Sequence, residues 1–308
     1  MDVRALETLR AVRSQGGVTA AAAVLHLTPS AVSQQLAALA RDAGVPLTER
    51  VGRGLRLTAA GDALADAAVD VAVALERARA ACAAWAGSPT GSVRVSAFQS
   101  AARLLLPVLL TRVAAIGGIA VECADEDVAQ DAFAALTDRH DVVVAHRPAE
   151  GDPGWGEGVV AVPLLREPLD VAVPVSSALA GRAALEPGDL AGVDWIAVKE
   201  GFPVARVLAD VAARSGATPR VVQRINDFHV VEALVAAGHG VALLPRYSSG
   251  GHPGVRLVPL TGVRAGRQVD ALVRPDVAQR RVVAVVLEEL AAVADGIRRA
   301  PAPTGTPG

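Results

Sequence analysis

The stretch GVTAAAAVLHLTPSAVSQQLAAL, residues 17–39, decides how this chain is read. Val18 to Leu25 has the make-up of one short helix, closed by His26 and Leu27. Thr28 and Pro29 open a second. A threonine at the N-cap accepts a hydrogen bond from an orphan backbone N–H. Proline suits the first helical position, where no N–H is needed. In the second helix Val32, Leu36 and Leu39 share one stripe, while Ser30, Ser33, Gln34, Ala37 and Arg41 share the opposite one. One face packs; the other offers hydroxyls, an amide and a cation. That is the layout of a helix-turn-helix with its second helix set for a DNA major groove. Two short alanine-rich helices around a tight turn also occur in helical domains without that role.

Arg50 to Thr58 reads as two short extended pieces around a glycine turn, with Arg50, Arg53 and Arg56 projecting. A basic hairpin placed after a helix-turn-helix is a wing, and its arginines can reach phosphates or the minor groove. The whole chain carries a net charge of −2, so DNA affinity has to come from local charge. Up to Gly61, Arg4, Arg10, Arg13, Arg41, Arg50, Arg53 and Arg56 outnumber Asp2, Glu7, Asp42 and Glu49. That excess is modest and calls for two copies on one duplex.

Taken together, Ala21, Ala22, Leu25, Ala31, Val32, Ser33, Leu39, Gly44, Arg50, Leu57, Thr58 and Gly61 resemble the LysR-type transcriptional regulators. Gly17 stands where that family usually has serine, Val18 and Thr48 where it has phenylalanine, and Ala40 where it has glutamate; two lost aromatics are expected to thin the small core. The resemblance implies that Thr28, Pro29, Ser30, Ser33 and Gln34 meet the major groove of double-stranded promoter DNA. Arg50, Arg53 and Arg56 would then hold phosphates or the minor groove.

A long helix follows, about Ala59 to Ala86. Leu64, Ala68, Val71, Leu75, Ala78, Cys82 and Trp85 alternate four and three apart along it, an a/d heptad seam that points to helix pairing. An amphipathic helix lying on its own domain gives a similar pattern. In the resembled family the corresponding helix is an antiparallel dimer contact, and a tetramer is the family expectation. Ser88 to Ser92 reads as a hinge.

Beyond it the pattern alternates strand and helix, which means an α/β layer architecture. Strands are expected at Val93–Ala97, Ile119–Cys123, Asp141–Ala145, Trp195–Val198, Val221–Arg224, Val241–Pro245 and Val269–Val273, and a strand pair at Val159–Pro163 and Leu169–Pro174. Helices are expected at Ala101–Ala115, Val128–Leu136, Val204–Arg214, Phe228–Ala237 and Ala278–Ile297, with a surface loop at Pro148–Gly158. Leu105-Leu106-Pro107, PLLREPLDVAVP, Asp189-Leu190 and LVAAGHGVALLP resemble the effector domain of the same family, which shares the type II periplasmic binding-protein fold. The fold class is therefore α/β overall: an all-α winged helix-turn-helix at 1–58, a linker and dimerisation helix at 59–87, a bilobed α/β effector domain at 92–300, and a disordered tail at 301–308. Lobe I would hold 92–162 and 270–300, lobe II 163–268, with crossing strands near Val162 and Val269.

Bilobed α/β folds bind ligands between lobes, at strand C-terminal ends and helix N-termini. The turn Ala97-Phe98-Gln99-Ser100-Ala101 suits an effector carboxylate or other acceptor, or else Ser100 merely caps its helix. Gly201-Phe202-Pro203-Val204 is a second such turn, and Asn226-Asp227-Phe228-His229 a third, where Asp227 can cap a helix and Phe228 and His229 can face the cleft. Read alone, His229 is more often a hydrogen-bonded surface or core histidine. His146, after its strand, lies near the same cleft. The candidate effector residues are thus Gln99, Ser100, Ala101, His146, Phe202, Val204, Asp227 and His229.

The motifs of hydrolases, zinc proteases and phosphate-binding loops are missing. No enzyme activity, cofactor or metal is expected, and Asp125-Glu126-Asp127 reads as a solvated loop. Cys82 and Cys123 are expected to be buried reduced thiols. No signal peptide and no bilayer-spanning run is read, so the expectation is a cytoplasmic protein whose partners are promoter DNA, itself, a small-molecule effector and RNA polymerase. The alternative is a solute-binding protein of the periplasmic type with a helical N-terminus that does not bind DNA; a steep salt slope in DNA binding separates the two.

Overall fold

The computed structural model describes residues 1–52, 54–83, 85, 87, 89–151, 154–156 and 158–300. Arg53, Ser88 and the tail at 301–308 lie outside the described residues. The first helix, α1 (Val3–Gln15), packs under α2 (Val18–Val24) and α3 (Pro29–Ala43). Leu6, Leu9, Val12, Ala21, Ala22, Val32, Leu36, Leu39 and Leu47 form their shared core. Val18 and Thr48 lie half-buried, so the two missing aromatics cost the rim of this core and not its centre. His26 makes the turn between α2 and α3 in the left-handed region, at φ 54, where histidine, like asparagine and aspartate, is enriched among non-glycine residues. The wing is β1 (Thr48–Val51) paired antiparallel with β2 (Gly54–Leu57).

Thr58 joins the wing to α4 (Ala59–Ala83). Its hydroxyl donates to the Pro46 carbonyl at 2.8 Å and accepts from Gly61 N at 3.0 Å. Gly61 has no substitute here, because a Cβ would stand 2.1 Å from the Leu47 carbonyl oxygen. The heptad seam on α4 is split. Ala68 is buried against α1, whereas Val71, Leu75 and Cys82 are exposed; Trp85, expected on the helix, is an exposed turn residue beyond its end at Ala83.

The larger sheet of the effector domain runs in the order β10, β6, β11, β5, β3, β4, with β9 added beside β6, and β7 pairs with β8 in a separate parallel sheet of two strands. Lobe I takes β3 (Gly91–Ala97), β4 (Ile119–Asp125) and β5 (Val142–Pro148) in parallel, joined by α5 (Gln99–Ile116) and by the short α6 (Phe133–Leu136). The helix expected from Val128 is shorter than read: a 3₁₀ turn at Gln130–Ala132 precedes α6, whose buried anchors are Phe133 and Leu136 alone. α9 (Arg281–Arg299) closes the other face. By length and composition α5 would suit a bilayer span, contrary to the expectation that none exists. Its Ala101, Leu105, Leu109 and Val113 stripe is buried in the lobe I core, and Pro107 interrupts its apolar run.

The strand pair expected at 159–174 is one unbroken strand, β6 (Val160–Pro174). Its three prolines do not break it because none occupies a regular interior ladder position, Pro174 being the last residue of the strand, paired with Val255. Pro163 sits at a register shift opposite Asp270, and Pro168 pairs with Gly266 at the end of the ladder with β11 (Gly266–Val273). Up to Pro168 the strand pairs with β11; from Leu169 it pairs with β9 (Ala242–Pro245) and β10 (Val255–Pro259), a strand the sequence did not suggest. The change of partners therefore falls at Pro168/Leu169, inside the segment assigned above to lobe II. Lobe II is completed by β7 (Asp194–Ala197), β8 (Arg220–Arg224), α7 (Pro203–Ser215) and α8 (Phe228–Ala236). Trp195, Leu185 and Val207 fill one of its cores, Ile196, Val231 and Leu244 the other.

Both cysteines are exposed and unpaired, against the expectation of buried thiols. Cys82 is on the open part of the α4 seam, and Cys123 is on β4, the edge strand.

Candidate functional site

The α3 face opposite the core is open. Thr28, Pro29, Ser30, Ser33 and Gln34 are all exposed. Thr28 caps the helix, accepting from Ala31 N at 3.1 Å. The Ser33 hydroxyl donates back to the Pro29 carbonyl at 2.9 Å. Among the described residues the Ser30 hydroxyl and the Gln34 amide have no partner. With the exposed Arg41 guanidinium they are free polar groups of this face. Gln35 is turned inward, where its amide oxygen accepts from the buried Thr8 hydroxyl. In the wing, Arg56 stands opposite Glu49 and Arg50 opposite Leu55, so the two arginines occupy opposite faces of the ribbon. Both are exposed.

A second site lies between the lobes. Phe98, Gln99, Ser100 and His146 from lobe I meet Phe202, Val204, Asn226 and Phe228 from lobe II, with Arg267 from the crossing strand β11. The cleft offers about 20 Å³ to the centre of a water-sized guest, room for roughly one water. Ser100 does not cap α5. Its hydroxyl accepts from Arg267 Nη2 at 2.8 Å. The Arg267 guanidinium, 2 % exposed, also donates to Glu167 Oε2 from Nε at 3.0 Å and from Nη2 at 2.6 Å. Glu167 Oε1 accepts from Tyr247 N, Ser248 N and the Ser248 hydroxyl at 3.0–3.1 Å. Arg267 and Glu167 are register partners on the two crossing strands. The ion pair therefore sits where the chain passes between lobes. The Arg267 guanidinium lies 4.9 Å from the centre of the Phe98 ring.

His146 is 3 % exposed. Phe98 and Phe133 meet its ring edge-on, and Phe202 stacks on it at 6.2 Å. Burial first, and then the Arg267 charge, hold its pKa well below the ordinary value, so the ring is neutral. Its Nδ1 is buried with no hydrogen-bond partner. Burial also raises the Asp127 carboxyl, with Arg267 and Lys199 acting against that rise.

Three of the expected residues do not line the cleft. Ala101 is buried in the lobe I core. Asp227 and His229 stand at the mouth instead. Asp227 caps α8, accepting from His229 N at 2.9 Å and Val230 N at 3.3 Å, and Gln99 reaches it from lobe I. His229 Nε2 accepts from Arg103 Nη1 of α5 at 2.5 Å. These contacts fasten one lobe to the other. Asp127, expected only as part of a solvated loop, lines the cleft from that loop, and Arg267 and Val198 were not expected there. The signal for Arg267 was present: it shares a strand face with Val269, Ala271 and Val273, and an arginine on an inward face needs a buried partner.

Two family models match the chain: a bacterial regulatory helix-turn-helix protein of the lysR family at residues 3–62, and a LysR substrate binding domain at residues 86–295. The transcriptional regulator ClcR of Pseudomonas putida is 28% identical over 90% of this chain and 94% of its own. IlvY of Escherichia coli is 26% identical over 80% of this chain and 82% of its own. Among solved structures, a variant of full-length OxyR from Pseudomonas aeruginosa superposes with a TM-score of 0.65 at 18% identity, covering 94% of this chain and 98% of that one. Full-length CbnR in complex with its target DNA superposes with a TM-score of 0.54 at 23% identity, covering 96% and 100%.

Proposed function

The chain belongs to the LysR family of transcriptional regulators, with a helix-turn-helix and an effector-binding domain, and from that premise we propose how its parts divide the work. It is a regulator, not an enzyme. The α3 face enters the major groove of promoter DNA. Gln34 reads a base edge, most naturally adenine, and Ser30 takes a phosphate or a base. Arg50 and Arg56, with Arg53, hold backbone from the wing.

Two copies pair through the open part of the α4 seam. Val71 at 42 % exposure and Leu75 at 37 % are large apolar groups on that helix, and Trp85 just beyond it is 93 % exposed, the pattern a helix partner covers. A tetramer then forms through the effector domains, and RNA polymerase is met at the promoter. The protein acts in the cytoplasm, where the chromosome is.

A small-molecule effector occupies the interlobe cleft. The observation that carries this is His146. A neutral ring is buried in the cleft wall with an unsatisfied nitrogen, beside a helix N-terminus and three phenylalanine rings. A guest larger than water must part the lobes, breaking the Arg103–His229 and Gln99–Asp227 contacts. Effector affinity that differs between the two lobe positions then shifts the subunit arrangement on DNA.

The test is DNA binding against salt with the purified full-length protein. The wild type should show log affinity falling steeply with log salt concentration. Gln34→Ala should relax preference at one position per half-site, by about 1–3 kcal/mol. Arg56→Ala should weaken all sequences alike and lower the salt slope by about one. A Gln34→Ala protein with base preference intact overturns the docking.

A further inference from the structure

The helix-turn-helix rests on its own effector domain, and the contact encloses a cavity of about 550 Å³ that the cleft reading does not use. One wall is α1 and the end of α2. The other is β3, the segments after β4 and α6, and the residue just past β11. Arginines dominate it: Arg10 from α1, Arg94 from β3, Arg139 after α6 and Arg274 after β11. His26 and His140 join them, against the acids Glu7, Glu126 and Asp138.

The acids are largely engaged. Asp138 accepts from Gln15 Nε2 at 2.8 Å and from the Ser14 hydroxyl. Arg10 lies 3.3 Å from it, whereas Arg274, 3.7 Å from it, is held by Asp276 through Nε at 3.2 Å and Nη2 at 3.0 Å. The Arg10 distance is long for a charge-assisted bond, which runs near 2.7–2.9 Å, so its guanidinium retains donors. Burial, and then the like charge of Arg274, hold the Arg10 pKa below its usual value. Glu126 meets Arg139 at 3.5 Å and His140 at 3.6 Å. Arg94 has no hydrogen-bond or ion-pair partner for its guanidinium among the described residues. Arg94, Arg10 and Arg139 thus present planar donors that the surrounding acids leave unfilled.

We propose that this cavity binds a small multiply charged oxyanion, carrying carboxylate or phosphate groups, that bridges Arg94 and Arg139 on the effector domain to Arg10 on α1. Guanidinium is the side chain that recognises both groups in bidentate fashion. Such a ligand fastens the helix-turn-helix to its own sensor. It gives the regulator an input separate from the cleft, acting on how the DNA-binding module is held. The site stands apart from the effector reading, and the two fail separately.

The experiment is calorimetric titration of the full-length protein with citrate and, separately, with inorganic phosphate, at constant ionic strength. Saturable binding of one anion per chain is expected for at least one probe, and the probe that binds tells carboxylate from phosphate recognition. Arg94→Gln should weaken it at least threefold, and Arg94→Ala with Arg139→Ala at least tenfold. Arg94 makes no fold contact of its own through its guanidinium, so Arg94→Gln keeps the test open should the double variant not fold. Absence of binding to both probes overturns the proposal. So does unchanged affinity in Arg94→Gln, or binding lost in Phe202→Ala but kept in the arginine variants, which would put the anion in the cleft.

Discussion

Ser30 and Gln34 stand on the open face of a helix whose other face is the core, while Glu167, Arg267 and His146 lie inside theirs. In the amino-terminal module the polar groups of interest are bystanders to folding: remove them and the core of Leu9, Val32 and Leu36 is untouched. In the effector domain the polar groups of interest hold the fold at its crossing point. The contrast teaches that one module can alter what it reads at little cost in stability, whereas the other couples any change in its site to the arrangement of its lobes.

The hardest blow to that contrast would come from Arg267→Ala. The substitution leaves Glu167 buried with three donors but no counter-charge, and breaking a buried pair by removing one partner costs about 3–5 kcal/mol. Denaturant unfolding of the full-length protein should show that loss, while Gln34→Ala stays within about 0.5 kcal/mol of wild type. A combined Arg267→Met and Glu167→Leu change should lie well above Arg267→Ala in stability, because an apolar pair leaves no stranded charge. Should Arg267→Ala prove as mild as Gln34→Ala, the two regions do not differ as described.

The same contrast explains what could be read from sequence. The α3 stripe, the Thr28 cap, the Pro29 start and the wing follow from spacings of a few residues, and the structure has each of them. Gln99, Ser100, His146, Phe202 and Val204 were legible as ends of strands and starts of helices, and they converge on one cleft. The pairing of Arg267 with Glu167 was not, because both residues fall outside the expected strands, Glu167 between Pro163 and Leu169 and Arg267 ahead of Val269. Their partnership spans 100 residues, and no local period encodes it. The exposure of Cys123 was illegible for a related reason, since only the sheet order reveals that β4 is an edge.

Gly61→Ala sharpens the comparison from the other side, for it tests the one crowded backbone contact in the amino-terminal module. The added methyl meets the Leu47 carbonyl oxygen at 2.1 Å and the Leu57 side chain at 3.2 Å. Backbone does not yield cheaply, so the wing has to shift from α4, at about 1–3 kcal/mol. The expected result is a lowered melting transition together with weaker binding to all DNA sequences. If affinity fell with no loss of stability, Gly61 would belong to the DNA surface instead.

His146 provides the finest test, because it asks whether the inside of the effector domain is as dry as its geometry says. The unfolded chain protonates this ring near the ordinary value of 6.5, but the folded one resists until well below that. Above pH 6.5 neither state carries the extra proton and the full stability is present. Below it the unfolded state takes up a proton that the native state refuses, so stability falls with falling pH by about 1.4 kcal/mol per unit. The decline ends only when the folded ring titrates. His146→Phe keeps an aromatic ring among Phe98, Phe133 and Phe202 and removes the titration. The stability difference between wild type and variant, measured at pH 7.0, 6.0 and 5.5, should therefore move in favour of the variant on acidification. A difference that stays constant over that range would mean that the ring is solvated and that its bare nitrogen is no part of a closed site.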